Sequence, residues 1–398
     1  MARLRLLGLV VVGFALLQSR AASAYPWMIR HEYPACVQCH LDPSGGGPLS
    51  AYGRGMGEVL LKTRYEARPA GEEETEPGPA AKFLWGAVPL PEWLDFGGSF
   101  RAASFTDKVD SDELSNRILW MQADLSAAVN TTRWVAAGSI GYAPRAATFA
   151  AITRGPDTNF VSRYHWIGYR LDEKATMLVR AGRMNLPFGI RDVMHTLAIR
   201  TTTRTNIDEQ QQHGVAFAYS GETFRGELMA ILGNFQVRPD DYRERGYSGY
   251  VEWDPSTHAA VGVSSRLAHV DLDPKALAPA WRHAHGLFAR AAPVEPLVLL
   301  GEADYVIDSL KNLPRNQGVQ TMLQADYEVV QGIHYQVTGE AGNFGPHGLA
   351  PSYALWGSFL WFVASHIDVR LDGVYQSLAS SIGRVSEVSF LAQGHVYL

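Results

Sequence analysis

Period-two alternation runs through most of this chain and limits it to folds that are built from sheets. From residue 92 to residue 398, apolar and polar side chains alternate in segment after segment, and no segment keeps a helical period. Residues 318–329 set an apolar row against Gln, Asp and Glu side chains, and residues 116–129 place Leu119, Met121 and Leu125 on one apolar face. One apolar and one polar face indicate a sheet with lipid on one side and water on the other.

Sixteen such segments can be marked, near residues 92–105, 115–129, 132–144, 160–172, 175–184, 212–220, 223–235, 246–254, 257–268, 282–292, 295–308, 316–329, 332–341, 353–363, 365–377 and 385–397. Tight turns and longer loops alternate between them, as in outer-membrane barrels. A soluble β-sandwich would also alternate apolar and polar residues, but it has no reason to alternate loop lengths. We therefore predict an all-β fold, an antiparallel transmembrane β-barrel of about sixteen strands over residues 92–398.

Charge and the N-terminus indicate where this barrel would lie. The chain has 35 basic and 40 acidic residues, a formal net charge of −5, which argues against a nucleic-acid partner. Residues 1–24 have Arg3 and Arg5 before an apolar run and end in Ala22-Ser23-Ala24, which is typical of a cleaved signal peptide. Neither that run nor any later one reaches the about 20 apolar residues of a membrane-spanning helix. Export and a barrel together predict the bacterial outer membrane.

The two cysteines of the chain stand in a motif with a specific chemistry. Cys36 and Cys39 precede His40 in the Cys-x-x-Cys-His spacing of covalent c-type haem attachment. Two thiols on one helical turn reach both vinyl groups of one haem, and the adjacent imidazole becomes the proximal iron ligand. A dithiol redox motif does not need the histidine, a disulfide across so short a loop would be strained, and a zinc site needs more ligands. We therefore predict one covalent haem c.

The distal ligand of that haem iron stays open at the level of sequence. His31 lies five residues before Cys36 and could fold back over the distal face, whereas Met56 lies sixteen residues past His40. A methionine would raise the reduction potential relative to a second histidine. The remaining alternatives are a ligand from the barrel and an iron with no distal ligand.

The domain boundaries follow from composition and length. Residues 25–66 form the haem segment, with a short helix near residues 49–62, and residues 67–91 form a linker rich in Glu, Pro and Gly. A segment of this length is too short to carry its own core, so it needs another surface on which to pack. We expect it to plug or cap the barrel.

These features resemble a known family. The motif residues that carry the likeness are Pro26, Arg30, Cys36, Cys39, His40, Leu49 and the pair Gly53-Arg54. With the barrel, they make the chain similar to the fused outer-membrane monohaem cytochrome c–porins, such as the outer-membrane cytochromes of iron-oxidising bacteria. The resemblance implies a haem segment in the mouth or lumen of the barrel that exchanges electrons with a periplasmic carrier. Residues 181–189 are also similar to a Gly-Arg and Pro-Phe-Gly segment that is common in porins.

Two functions remain open. The first is an electron conduit that moves single electrons between an extracellular donor or acceptor, such as Fe(II), and a periplasmic c-type cytochrome, comparable to an iron(II):cytochrome c oxidoreductase. The alternative is a solute porin whose haem segment is a structural plug or a redox-sensing gate.

The long connection over residues 185–211 bears on both functions. It carries Arg191, His195, Arg200 and Arg204, and it either folds into the lumen, where its cations could meet haem propionates or an anionic solute, or is a solvated external loop.

Overall fold

The fold of the alternating region is seen in a computed structural model, which describes residues 25–65, 78–110, 112–143, 159–192, 194, 196–207, 209–381 and 383–398. The predicted signal peptide over residues 1–24 lies outside the described residues, as does the first part of the predicted linker, residues 67–77.

Strands make up most of the described chain. In chain order they are β1 Leu94–Val109, β2 Ser115–Asn130, β3 Trp134–Ala143, β4 Asn159–Val161, β5 His165–Arg170, β6 Met177–Met184, β7 Gln212–Ser220, β8 Phe224–Gly233, β9 Arg245–Ser256, β10 Ala259–Val270, β11 Ala280–Val294, β12 Leu297–Leu310, β13 Asn316–Val330, β14 Ile333–Gly342, β15 Ser352–Ala364, β16 Ile367–Ser380 and β17 Gly383–Tyr397.

The strands close into one barrel. Strands that follow one another along the chain pair antiparallel, and β17 pairs with β1. The exception is β4, which pairs with β3 beside β5, so that β4 and β5 share one position in the sheet. The described residues thus form a closed antiparallel barrel with sixteen strand positions. The all-β fold and the strand number predicted from the alternation are confirmed.

Alternation along the strands separates an outer face from the lumen. In β13, Leu323 is 70% exposed on the outer face, whereas Met322 is 1% exposed. The polar partners Gln320, Gln324 and Asp326 are buried on the inner side, as the sequence predicts.

A β-bulge changes this pattern in β2. Arg101 pairs with Gln122 and Ala102 pairs with Trp120, so Met121 is an extra residue between the two pairs. Beyond a bulge the faces exchange. Ile118 and Trp120 are therefore exposed, while Met121 lines a cavity inside the barrel. The prediction that Leu119 and Met121 lie on the apolar outer face is wrong for this reason.

The helices are short. In the N-terminal segment they are the 3-10 turns Pro26–His31 and Cys36–Gln38, helix α1 Ala51–Met56 and the π-turn Gly57–Leu61, in agreement with the helix predicted near residues 49–62. The remaining ones are the 3-10 turns Pro79–Ala81, Phe83–Gly86 and Asp240–Tyr242, and helix α2 Ala198–Thr203. No helix among the described residues is long and apolar enough to cross a bilayer.

The two ends of the barrel differ in their connections. The turn end carries the connections 131–133, 171–176, 221–223, 257–258, 295–296, 331–332 and 365–366, none longer than six residues. The opposite end, called the loop end, carries the long connections such as 185–211, 234–244 and 271–279, together with three short ones at 110–114, 311–315 and 381–382. The N-terminal segment lies inside the barrel at the turn end. Thr63 bonds the carbonyl of Phe362 through its backbone N–H (2.9 Å) and its hydroxyl (2.8 Å), and Gln331 donates to the carbonyls of Val59 (2.7 Å) and Lys62 (2.9 Å).

Candidate functional site

The motif of residues 36–40 forms a single tight turn inside the barrel. The backbone N–H groups of Cys39 (3.2 Å) and His40 (2.9 Å) both donate to the carbonyl of Cys36. Both cysteines are free thiols and are half-buried, and His40 is buried. The structure therefore brings the two thiols and the imidazole together on one turn, the arrangement that we predicted from their spacing.

Helix α1 packs directly against this turn. Ser50 donates to the carbonyl of Cys39 through its backbone N–H (2.9 Å) and its hydroxyl (3.1 Å), and the same hydroxyl accepts from the N–H of Gly53 (3.1 Å), which caps the helix. A Cβ atom on Gly53 would overlap the Cys39 carbonyl group, so the contact requires glycine. His40 and Leu49 pair as an isolated bridge behind the turn.

Buried ion pairs hold the N-terminal segment against the barrel wall. Arg30 pairs with Asp326 and with Glu328 (3.2 Å). Arg54 pairs with Asp95 of β1 (3.0 Å). Removing one partner of such a pair costs about 3–5 kcal/mol, because a charge is left buried without its counterion. Arg30 and Arg54 belong to the residues that carry the family resemblance, and in the structure they dock the segment onto the wall.

A further ion pair fixes the Gly-rich turn that follows His40. Asp42 lies 2.7 Å from Arg180 of β6, which also pairs with Glu227. Sequence analysis missed this pair, because the two residues lie far apart in the chain and nothing in the local sequence of Asp42 indicates its partner.

A cavity opens in front of the motif. It holds about 740 Å³ of empty space, open solvent included. Its lining brings together Cys36, Cys39 and His40 of the motif, Met28 and Tyr33 of the N-terminal segment, Arg191 of the long connection, and Arg225, Tyr250, Glu252 and Arg290 of the wall. A second cavity of about 480 Å³ shares Met28, Cys39 and His40 with the first and adds Met56 and His395.

The electrostatics at the motif favour a neutral imidazole beside cations. Burial lowers the pKa of His40 to about 4, so the ring is unprotonated at neutral pH, which is the form that binds metals. Its Nδ1 atom is buried with no hydrogen-bond partner among the described residues. Burial raises the pKa of the Cys39 thiol to about 11. Three guanidinium groups also line the cavity, and each is paired with carboxylates: Arg191 with Glu227, Arg225 with Glu252 and Asp254, and Arg290 with Glu252.

These residues fit a c-type haem. The two thiols and the neutral imidazole share one turn at the edge of a cavity. Arg191, Arg225 and Arg290 also line it and would meet propionate groups there, beside the carboxylates with which they pair. Cys36, Cys39 and His40 would hold the group. No cluster of three or more His, Cys, Asp or Glu side chains suited to a metal ion occurs among the described residues.

The two distal-ligand candidates from the sequence take different places. His31 lies against the wall, with Nε2 3.7 Å from Glu328, and lines neither cavity. Met56 lines the second cavity, and its sulfur accepts a hydrogen bond from the Tyr33 hydroxyl (3.3 Å). Met28, which sequence reasoning did not consider, lines both cavities beside His40. The identity of the distal ligand remains a prediction.

The long connection over residues 185–211 folds into the lumen. Glu340 accepts from the N–H groups of Ala198 (3.1 Å) and Ile199 (3.0 Å) at the start of α2, and Arg200 pairs with Glu302 of β12. Arg191 donates to the carbonyl of Pro43 beside the motif (2.7 Å). Of the other predicted cations, Arg204 lies near Glu244 (3.6 Å) and Asp308 (3.7 Å), and His195 lies outside the described residues.

The N-terminal segment and the long connection share one apolar core inside the barrel. This core contains Trp27, Ile29 and Leu61 from the segment, Ile190, Leu197 and Ile199 from the connection, and Leu300, Met322 and Phe362 from the wall. Both elements therefore occupy the lumen at this level.

Sixteen antiparallel strand positions, short turns at one end and a long connection folded into the lumen define a β-barrel of the porin type. The chain matches no known protein-family profile and no curated protein. Among solved structures it is similar to OmpT of Vibrio cholerae (9% identity, 78% of this chain and 100% of that chain, TM-score 0.59).

It is also similar to the channel DcaP of Acinetobacter baumannii (11% identity, 77% of this chain and 97% of that chain, TM-score 0.57). A third similar structure is an anion-selective porin from Comamonas acidovorans (11% identity, 77% of this chain and 99% of that chain, TM-score 0.55). At these identities the likeness establishes the fold.

Proposed function

We propose that this chain is an outer-membrane electron conduit, in which one covalent c-type haem inside a porin-type barrel passes single electrons between an extracellular donor or acceptor, such as Fe(II), and a periplasmic c-type cytochrome. The observation that carries the proposal is the place of the Cys-x-x-Cys-His turn. It lies inside the lumen and faces a cavity whose lining includes three arginines.

The orientation follows from the connections. Outer-membrane barrels have short periplasmic turns and longer external loops. The turn end therefore faces the periplasm, and both the N-terminal segment and the end of β17 at Tyr397 lie there. A haem held at this end would be within reach of a periplasmic cytochrome.

The physical need for such a protein is clear. The hydrocarbon core of a bilayer is roughly 30 Å thick and insulating, so a redox group partway across it shortens each electron transfer. A bound haem would supply a one-electron Fe(III)/Fe(II) couple at this depth. The chain contributes a wall that holds the group by two thiols and one imidazole, and a lumen core that limits its contact with water.

A second candidate is a solute porin whose N-terminal segment is a plug or a redox-sensing gate. Two observations favour it. The fold is shared with DcaP and with the anion-selective porin. A further cavity of about 520 Å³, lined by charged residues, also remains between the segment and the wall, where Arg101, Asp368, Arg370 and Asp372 line it. A segment that leaves the lumen would uncover a wet, charged pore.

The conduit is tested in sealed liposomes that contain the haem-loaded protein, oxidised cytochrome c inside and an impermeant Fe(II) chelate outside. A potassium ionophore with potassium ions dissipates the potential that inward electron flow creates. We expect oxidation of the external Fe(II) to match reduction of the internal cytochrome, electron for electron.

The matched control is the Cys36→Ala/Cys39→Ala barrel, which should give no reduction above protein-free liposomes. The His40→Ala variant should lose most of the rate. Equal rates in the wild type and the double variant would reject the conduit, and leakage of a small solute from the same liposomes would support the porin.

A further inference from the structure

We propose that the sulfur of Met28 is the distal iron ligand of the haem held by Cys36, Cys39 and His40. This inference rests on the proposed function, because it assumes that the haem is attached. It adds a residue that neither the motif nor its spacing identifies.

The positions of the two thiols decide which cavity would receive the haem. Cys36 lines only the 740 Å³ cavity, whereas Cys39 and His40 line both cavities. A group that is bonded to both thiols must therefore enter the larger cavity, where the three arginines also lie. Among the described residues that line it, Met28 is the one thioether, and His40 is the one imidazole.

The local fold directs Met28 toward this cavity. In the 3-10 turn Pro26–His31, the side chains of Trp27, Ile29 and Arg30 are buried. Trp27 packs on the ring of His334 (4.4 Å between centroids), and Arg30 pairs with Asp326. With these neighbours held on the wall, Met28 stays half-buried beside the motif, and its carbonyl accepts from the N–H of Tyr33 (3.3 Å).

The competing side chains lie outside the larger cavity. His31 faces Glu328. The Met56 sulfur accepts from Tyr33 and lines only the smaller cavity. His395, also in the smaller cavity, has Nδ1 bonded to Asp368 (2.7 Å) and Nε2 bonded to Ser99 (3.1 Å), so its imidazole would have to leave both partners to bind iron.

A thioether ligand would change the reduction potential of the haem iron. Methionine opposite histidine stabilises Fe(II) relative to two histidines and so raises the reduction potential. The structure thus assigns this haem to the higher-potential class of c-type centres.

The test compares Met28→Leu with Met56→Leu in the full haem-loaded protein purified in detergent. Covalent haem per chain is measured first, and then the near-infrared charge-transfer band of methionine-ligated ferric haem and the midpoint potential by redox titration. We expect the wild type and Met56→Leu to show the band with equal potentials, and Met28→Leu to lose the band at an unchanged haem content. Met28→His, a second variant at the same place, should give the spectrum of two histidine ligands and a lower potential.

Persistence of the band in Met28→Leu, its loss in Met56→Leu, or a wild type with two histidine ligands would overturn the assignment of Met28 and leave the conduit standing. A wild type without covalent haem would overturn the proposed function instead. The haem measurement separates these two failures before any ligand is examined.

Discussion

Gly53 is the residue that lets helix α1 lie against the turn of residues 36–40. Its lack of a side chain lets α1 lie on the Cys39 carbonyl, and a Cβ there would overlap that group. Four residues on, a Cβ on Gly57 would meet no described atom within 4 Å. The two glycines therefore form a matched pair in one helical stretch.

We predict that Gly53→Ala lowers covalent haem per chain several-fold, because the turn must shift away from the helix. Gly57→Ala should keep the wild-type haem content and add up to about 1 kcal/mol of local stability, since alanine is the better helix former. The measurement is haem stain against protein stain on the purified barrels. Equal haem content in both variants would show that the contact between Gly53 and Cys39 is not needed for attachment.

Among single residues, the sequence predicted those contacts that join residues close together in the chain. The spacing of Cys36, Cys39 and His40 predicted that they share one turn, because hydrogen bonds between near neighbours determine that turn. It could not find Met28 or the Asp42–Arg180 pair. Their relation to the motif depends on how the segment sits against the wall, and residues distant in sequence decide that.

Among the elements, the strands were predictable and the long connection was not. Period-two alternation follows from one face in lipid and one in the lumen, so it marks strands directly. The bulge at Met121 has no such signature, and it exchanges the faces of β2 beyond that point. For residues 185–211, four basic side chains fit either an external loop or a lumen loop. The deciding partners, Glu302 and Glu340, lie on distant strands.

We predict that two elements together obstruct the lumen and that the N-terminal segment is the main obstruction. The wild type should show little conductance in planar bilayers, because the N-terminal segment and the long connection share one core across the lumen. Deleting residues 25–65 should raise the conductance. Replacing residues 190–204 with a short Gly-Ser loop in the same deletion variant should raise it further. The loop replacement alone, with the segment kept, is the control and should stay near the wild-type level.

A large conductance in the wild type would mean that the segment and the connection leave an open path. That result would favour the porin alternative over the conduit. Unchanged heat-modifiable migration on gels would establish that each deleted barrel is still folded.

At the scale of the whole molecule, the barrel supplies what the N-terminal segment lacks. A segment of some forty residues cannot bury a haem with its own core. In this chain the segment shares a core with the barrel, because Trp27 and Ile29 pack in one cluster with residues of the wall and of the long connection. Arg30 and Arg54 are also paired with carboxylates of the wall. We expected from the sequence that this segment needs a surface, and the structure identifies that surface as the inner wall at the turn end.

The most direct test of this account is the intact mass of the purified barrel from cells that carry a c-type haem maturation system. We predict one haem per chain in the wild type, and none in the Cys36→Ala/Cys39→Ala variant, which should still migrate as a heat-modifiable barrel. A folded wild-type barrel without haem, from cells that load a co-expressed control cytochrome c, would contradict the account.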